Sequence, residues 1–304
     1  MCARPIRLGS RGSALALCQA AIVQKQLQSL NPQLEVVIEK ITAQADANPE
    51  LPLSAMSGEG VFVKELEAAL LKGQIDFAVH SLKDMPLAIP KALCIAAVLK
   101  REEPRDALVA RQKTTVDQLP GKARVGTSSL RRKAQLLHHR GDLEILDIRG
   151  NVDTRLRKLD EGRYDAIVIA GCGLMRLGMG SRIAELLDMV WMLSEPGQGA
   201  LAIEARSDDQ AIRQLIEPLN DLKTRLCIDA ERAFLSALGG GCSVPIAAYA
   251  SDKGKQLFLQ GAVIASDGHE QIRGAIEGAL ADAQALGKQL ADQLTAQGAR
   301  RLLV

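Results

Sequence analysis

Short apolar runs alternate along this chain with longer stretches whose apolar residues recur at helical spacing, a pattern that predicts strands and helices in turn. A strand is expected over 6–10. Ser13 then stands as the N-cap of a helix reaching about residue 30, where Asn31-Pro32 stops it. Strands follow over 34–41, 75–80 and 93–99, with a helix over 61–71. Residues 42–60 are rich in Ala, Ser, Gly and Pro and show no period, so they are expected to form a loop, functional or mobile at that length. A charged stretch with Pro104, over 101–106, reads as a crossover. A second series comprises strand 124–126, helix 130–139, strand 143–148, helix 152–159 and strand 164–170. A Pro/Gly loop at 194–199 is the second crossover and leads into a strand over 200–205. The last part holds a helix from near 221 to 238, a loop over 239–245, strands near 246–250 and 257–265, a hairpin turn at Ser266-Asp267-Gly268 and a helix over 278–297.

Such alternation implies an α/β fold with mainly parallel sheets covered by helices. Two crossovers, near 103 and 197, imply two lobes joined by two strands of chain. The expected division is 1–102 with 197–219, then 103–196, then a smaller C-terminal domain over 220–304. A ligand is expected in the cleft, at the carboxyl ends of strands. No internal repeat is evident.

Composition narrows the function classes. Of 304 residues, 47% are hydrophobic but only 2% aromatic, so the core is aliphatic and the stacking rings that single-stranded nucleic acids need are scarce. A net charge of +2 provides no global field for DNA or a membrane surface. Residues 121–163 nevertheless carry 11 Lys/Arg against 6 Asp/Glu, a local excess suited to an anionic ligand. No run has the length of a membrane span, and the first residues lack the apolar stretch of an export signal, so a cytoplasmic location is expected. Cysteines at 2, 18, 94, 172, 227 and 242 form no C-x-x-C pair, and the four histidines show no metal spacing, so no metal is expected. The phosphate-loop and dinucleotide fingerprints are absent.

Four strand ends share one character: Gly9-Ser10-Arg11-Gly12-Ser13, His80-Ser81-Leu82-Lys83-Asp84, Gly126-Thr127-Ser128-Ser129-Leu130-Arg131-Arg132 and Arg149-Gly150-Asn151-Val152-Asp153-Thr154-Arg155. Each joins small or hydroxyl residues to a fixed cation. Backbone N–H groups at helix starts attract anions, and Arg adds a bidentate fork for carboxylate or phosphate. Singly, such junctions are ordinary helix caps with solvated cations; together they point to a ligand with several anionic groups. Arg131 and Arg132 occupy a first helical turn, where the dipole disfavours cations. Asp84 either caps the turn before Met85-Pro86 or, among cations, holds a cationic intermediate or moves a proton. Cys242, behind Gly239-Gly240-Gly241, is either an accessible nucleophilic thiol or a plain loop cysteine. Cys2, Cys18, Cys94, Cys172 and Cys227 read as small core or surface residues, with accessibility as the alternative for Cys172, which stands between two glycines.

In this order those stretches resemble the hydroxymethylbilane synthase (porphobilinogen deaminase) family, from Arg7 to about Ala299. Phe62-Val63-Lys64-Glu65-Leu66-Glu67, Ala78 through Pro86, Val125 through Arg132, Arg149 through Arg155, Pro196-Gly197-Gln198-Gly199-Ala200 and Gly240-Gly241-Cys242 carry the likeness. The resemblance implies two periplasmic-binding-protein-like lobes and a smaller C-terminal α+β domain. It implies a transferase that joins four porphobilinogen molecules with loss of ammonia. The primer would be a dipyrromethane cofactor on Cys242. Asp84 would be catalytic. Ser13, Lys83, Thr127, Ser129, Arg131, Arg132 and Arg155 would bind the cofactor, and Arg11, Arg149, Arg155 and Arg176 the substrate. A cytoplasmic monomer without nucleic-acid or membrane partners is expected. The chain departs from the family pattern at Ser57-Gly58-Glu59-Gly60, where Gly-Gly-Lys-Gly is usual, and at Thr42-Ala43-Gln44-Ala45-Asp46, where Thr-x-Gly-Asp is usual. Residues 42–60 are therefore expected either to cover the cleft as a mobile segment, with Glu59 weakening closure, or to form a disordered surface loop in which Glu59 faces solvent. Two other classes compete: a non-catalytic two-lobed protein for a small anion, which needs neither Cys242 nor Asp84, and an enzyme of phosphorylated metabolites.

Overall fold

The structure is a computed structural model that describes residues 4–42, 63–240 and 244–303. In chain order the elements begin with β1 (Ile6–Ser10), α1 (Ala14–Leu30), β2 (Val36–Lys40), α2 (Lys64–Leu71), β3 (Phe77–Ser81) and β4 (Leu93–Val98). They continue with β5 (Asp106–Ala110), β6 (Arg124–Gly126), α3 (Leu130–His139), β7 (Glu144–Leu146), α4 (Val152–Asp160), β8 (Ala166–Ala170), α5 (Gly171–Arg176) and β9 (Glu185–Leu186). The last are β10 (Leu201–Arg206), α6 (Gln210–Ile216), α7 (Leu222–Ala237), β11 (Ile246–Lys253), β12 (Gln256–Ile264), β13 (Gln271–Ala279) and α8 (Ala283–Ala296).

Two compact units emerge, Met1–Arg101 with Ala200–Arg225, and Glu102–Gly199 with Leu226–Val304. The first holds a five-stranded sheet in the order β2-β1-β3-β10-β4. β1 pairs in parallel with β2 and β3, and β10 runs antiparallel to β3 and β4, so β10 alone opposes the other four. The second unit holds a sheet in the order β7-β6-β8-β5-β9, in which β5 alone opposes the rest, and a separate antiparallel sheet β11-β12-β13. The α/β class with mainly parallel sheets and a smaller antiparallel C-terminal part is therefore what the chain adopts.

Apolar alternation supplies each core. In the first sheet Phe77 and Val79 face α1 residues Ala20, Val23 and Leu27, whereas Ala78 faces Leu66, Ala69 and Leu70 of α2. Around the third sheet, Phe234, Leu259, Leu290 and Leu294 fill one cluster. Gly261 makes room for the Phe234 ring, because a Cβ there would lie 2.5 Å from it.

Some elements differ from expectation. β5 starts at Asp106, inside the stretch read as a crossover, because only its first residue is charged and the next three are apolar and buried. β13 occupies residues 271–279, and α8 begins only at Ala283, so the helix predicted over 278–297 starts late. β13 is half-exposed and interrupted by glycines, which hides its strand pattern. α5 and α6 are short helices with no predicted counterpart. Residues 43–62, including most of the predicted loop, the first two positions of the predicted 61–71 helix, and Glu59, lie outside the described residues.

The two α/β sheets also contain an internal repeat that the sequence pattern conceals. Arg7, on β1, donates its backbone N–H and Nη2 to Asp76 (2.8 and 3.0 Å), and Nη2 reaches the Gly73 carbonyl at 2.7 Å. Arg124, on β6, does the same with Asp165 (2.8 and 3.0 Å) and the Gly162 carbonyl at 3.0 Å. Gly73 and Gly162 both have positive φ, 66° and 76°. Gly9 and Gly126 follow each arginine by two residues, and a Cβ at either would strike Ile75 (2.2 Å) or Tyr164 (3.0 Å), the residues just before the two aspartates.

Candidate functional site

In the first unit, the parallel pairing of β1 with β3 sets their carboxyl ends side by side, and two of the four junctions leave from there. Ser10 is buried and its hydroxyl donates to the Arg11 carbonyl at 3.0 Å. Ser13 caps α1 as predicted, accepting from the Ala16 N–H at 3.2 Å. Gln19, which the sequence pattern did not single out, donates to the Ser81 hydroxyl at 2.8 Å and ties α1 to the end of β3. Lys83 and Asp84 lie in a short 3-10 helix over Leu82–Asp84, both half-buried, as is Arg11. Behind them His80 Nε2 meets Glu204 Oε2 at 3.0 Å, both buried. Burial, then the Glu204 charge, raise the Glu67 carboxyl above its ordinary value.

In the second unit, β6, β7 and β8 run in parallel, so three strand ends open together. Ser128 laces the first to the second: its hydroxyl donates to the Ile148 carbonyl at 2.8 Å and accepts from the Ile148 N–H at 3.0 Å. Thr127 is buried and accepts from the Ser129 N–H at 3.3 Å, and Ser129 caps α3 through the Arg132 N–H at 3.5 Å. Gly150, with φ of 106°, turns its carbonyl to Arg155 Nε at 2.8 Å. The Arg149 side chain is half-buried, and its carbonyl accepts from Lys158 Nζ at 3.1 Å. Arg176, at the end of α5, is held by Glu102 (2.9 Å) and by the Gly199 carbonyl (2.8 Å). Arg11, Ser13, Lys83 and Asp84 thus gather in the first unit, and Thr127, Ser129, Arg131, Arg132, Arg149, Arg155 and Arg176 in the second.

Arg131 and Arg132 do not project as solvated first-turn cations. Both are buried, at 2% and 5% exposure, and they share the buried carboxylate of Asp106. Arg131 Nη1 donates to Asp106 Oδ2 at 2.7 Å and to the Leu193 carbonyl at 2.8 Å. Arg132 Nε donates to Asp106 Oδ1 at 2.9 Å and its Nη2 to Gln198 at 3.2 Å. Gln198 in turn donates to Asp106 Oδ1 at 2.9 Å and to the Pro104 carbonyl at 2.7 Å. Burial alone would raise the Asp106 carboxyl; the two guanidiniums outweigh it and hold the group far below the usual carboxylate range. Asp106 and Gln198 had no local signal, because their partners lie 25 to 94 positions away.

Arg131 Nε and Nη2 are buried and have no hydrogen-bond partner among the described residues. Buried donors are nearly always paired, so two on one cation fit a missing anion. A group bearing several carboxylates suits this donor set. Cys242 lies outside the described residues. Just before it, Gly239 has φ of 72°, and a Cβ on Gly240 would meet Ile246 and Leu235 at 2.7 Å, so both glycines also serve the backbone and the packing. Cys172 is buried rather than accessible, because a close-packed Gly171 seats α5 against Leu186 and the Arg105 carbonyl. Among the described residues no cluster of three or more metal-ligating side chains occurs, and no helix is long and apolar enough to cross a membrane.

Two family models match the chain. One, described as porphobilinogen deaminase, dipyromethane cofactor binding domain, covers residues 6–214; the other, porphobilinogen deaminase, C-terminal domain, covers 225–296. A porphobilinogen deaminase of Roseiflexus sp. (strain RS-1) is 49% identical over 296 residues, 97% of each chain. One of Syntrophotalea carbinolica is 48% identical over 303 residues, 100% of this chain and 96% of the relative. Among solved structures, a periplasmic substrate-binding protein of an ABC transporter from Coxiella burnetii aligns with a TM-score of 0.43 and 17% identity, over 75% of this chain and 96% of that one. The two models succeed one another along the sequence and the relatives match it almost end to end, so the chain belongs to the porphobilinogen deaminase family.

Proposed function

We infer that the chain joins four porphobilinogen molecules head to tail into the linear tetrapyrrole hydroxymethylbilane, releasing ammonia at each addition, on a dipyrromethane primer. Bound at the site, the dipyrromethane supplies the pyrrole terminus on which the product is built. The observation that supports the site assignment is the buried, unfilled pair of donors on Arg131, set within a basic network at the ends of parallel strands. Each pyrrole ring carries an acetate and a propionate, so Ser13, Lys83, Thr127, Ser129, Arg131, Arg132 and Arg155 are assigned to the cofactor carboxylates. Arg11, Arg149, Arg155 and Arg176 are assigned to those of the incoming substrate. Asp84 is assigned to the chemistry: its protonated carboxyl, beside Lys83, can hand its proton to the departing amine, and the carboxylate so formed can lie against the positive charge that develops on a pyrrole nitrogen. Cys242 is assigned the covalent link, as a thiol in a glycine-rich loop of a family whose cofactor is carried by the chain. As parts of the same reading, the chain works as a cytoplasmic monomer, in three domains over 1–102 with 197–219, 103–196 and 220–304.

Intact-protein mass tests the assignment. The purified chain is expected to exceed its polypeptide mass by two pyrrole units, and Cys242→Ser to lack them. Pyrroles mapped to Cys172 would remove Cys242 from its role. Asp84→Ala is expected to keep the two-pyrrole mass and the fold but to lose roughly 100-fold or more in turnover; near-normal turnover would take Asp84 out of the chemistry.

A further inference from the structure

We propose that Asp106 is a positioning residue for the dipyrromethane site, acting by aiming the bidentate edge of Arg131; this rests on the assignment of Arg131 to the cofactor. One edge of a guanidinium, formed by Nε and Nη2, presents two N–H groups that point the same way and match a carboxylate. In Arg132 that edge is already used, on Asp106 and Gln198. In Arg131 the opposite end is used, since Nη1 alone holds Asp106 and the Leu193 carbonyl, while Nε and Nη2 are buried and unpaired among the described residues. One carboxylate therefore fixes two arginines in different orientations and leaves one complete fork open.

Asp106 is a rigid anchor for this purpose. It opens β5, a strand with a neighbour on each side, and it pairs in register with Ala170, the last residue of β8. Gln198 holds Asp106 Oδ1 while itself bonded to the Pro104 carbonyl, which keeps the carboxylate from turning. The shared negative charge also offsets the placing of two cations in the first turn of α3, which the helix dipole opposes. With its oxygens held by Arg131, Arg132 and Gln198, Asp106 acts through Arg131.

The test is loading of apoprotein, prepared without porphobilinogen and then incubated with it. Two quantities are read: the rate at which the mass of two pyrrole units appears, and the rise in melting temperature that loading produces. Asp106→Asn keeps the shape but turns an amide N–H₂ toward the arginines. It is expected to load roughly tenfold or more slowly, the loss that one charge-assisted hydrogen bond implies, and to gain less melting temperature on loading. Asp106→Glu keeps the buried charge and is the variant to use if Asp106→Asn does not fold; it is expected to restore part of the rate. A lower melting temperature of the apoprotein with wild-type loading rate and wild-type gain in Asp106→Asn, or in Asp106→Glu where Asp106→Asn does not fold, would make Asp106 merely structural and overturn the proposal. Arg131→Leu run in parallel separates the two levels. If it loads normally, the assignment of Arg131 itself fails; if it fails to load while the Asp106 variants load normally, only the positioning role fails.

Discussion

A methyl group added at Gly287 would lie 2.3 Å from the Ala230 carbonyl oxygen and 2.8 Å from the Ala233 Cβ, both on α7. Backbone cannot swing aside as a flexible side chain can, so α8 would have to move off α7. Gly287→Ala is expected to cost about 1–3 kcal/mol through overpacking, although Ala favours a helix. Thermal unfolding should show a lowered midpoint, whereas Gly180→Ala, which meets nothing within 4 Å, should leave it nearly unchanged. An equal midpoint for Gly287→Ala would mean that the two helices are not in close contact. Single residues were legible in the sequence where their partners are near in the chain. The caps Ser13 and Ser129 could be read because each bonds an N–H three positions on. The basic character of Arg131 and Arg132 was equally plain, but their burial was not, because it depends on Asp106, Leu193 and Gln198, none within 20 positions. Gln19 was missed for the same reason, since its partner Ser81 is 62 residues away.

At the scale of elements, the repeated aspartate clasp permits a controlled comparison of one interaction in two settings. Asp76 is fully buried and receives Arg4 as well as Arg7, whereas the Asp165 side chain keeps 30% exposure beside a half-exposed Arg124. Asp76→Asn is expected to cost about 3–5 kcal/mol, as when one partner of a buried pair is removed, and Asp165→Asn no more than about 1 kcal/mol. Urea unfolding at neutral pH checks the order, and equal losses would contradict it. The pH dependence has a definite sign. Burial raises the Asp76 carboxyl, but the bonds from Arg4 and Arg7 outweigh it, so the folded value lies below the unfolded one. Asp165 is likewise lowered, chiefly by Arg124. The stability from each is complete above the ordinary aspartate range and is lost as pH falls toward the folded value. The gap between wild type and Asp76→Asn should therefore narrow below about pH 4. Long elements with one clear period were legible, as α1, α3 and α4 show. Short or half-exposed ones such as α6 and β13 offer too few core positions, and the repeat stays hidden because only the clasp residues and their glycines recur.

On the scale of the whole chain, the two crossovers were legible because each joins charge, Pro or Gly to a break in the apolar pattern, but what they accomplish was not. The second crossover returns the chain to the first sheet, where β10 enters between β3 and β4 and hydrogen-bonds both. Pairing partners such as Ser81 and Leu201 are thus separated by more than a hundred residues, and no local rule announces that separation. On a ribosome the consequence is one of timing. When residue 186 has been made, every strand of the β7-β6-β8-β5-β9 sheet exists, yet the first sheet still lacks the strand that links β4 to the rest. The segment made first must wait for one made much later, while the segment between them can close on its own. Long-range closure is slow and leaves strand edges bare meanwhile. Pulse-labelled amide exchange during refolding should accordingly protect β5, β6 and β8 before β3 and β4, and the reverse order would show that the first sheet forms without waiting for β10. A nascent chain halted before Leu201 would present β3 and β4 with open edges, the condition in which a holding chaperone, rather than any later partner, finds its purchase.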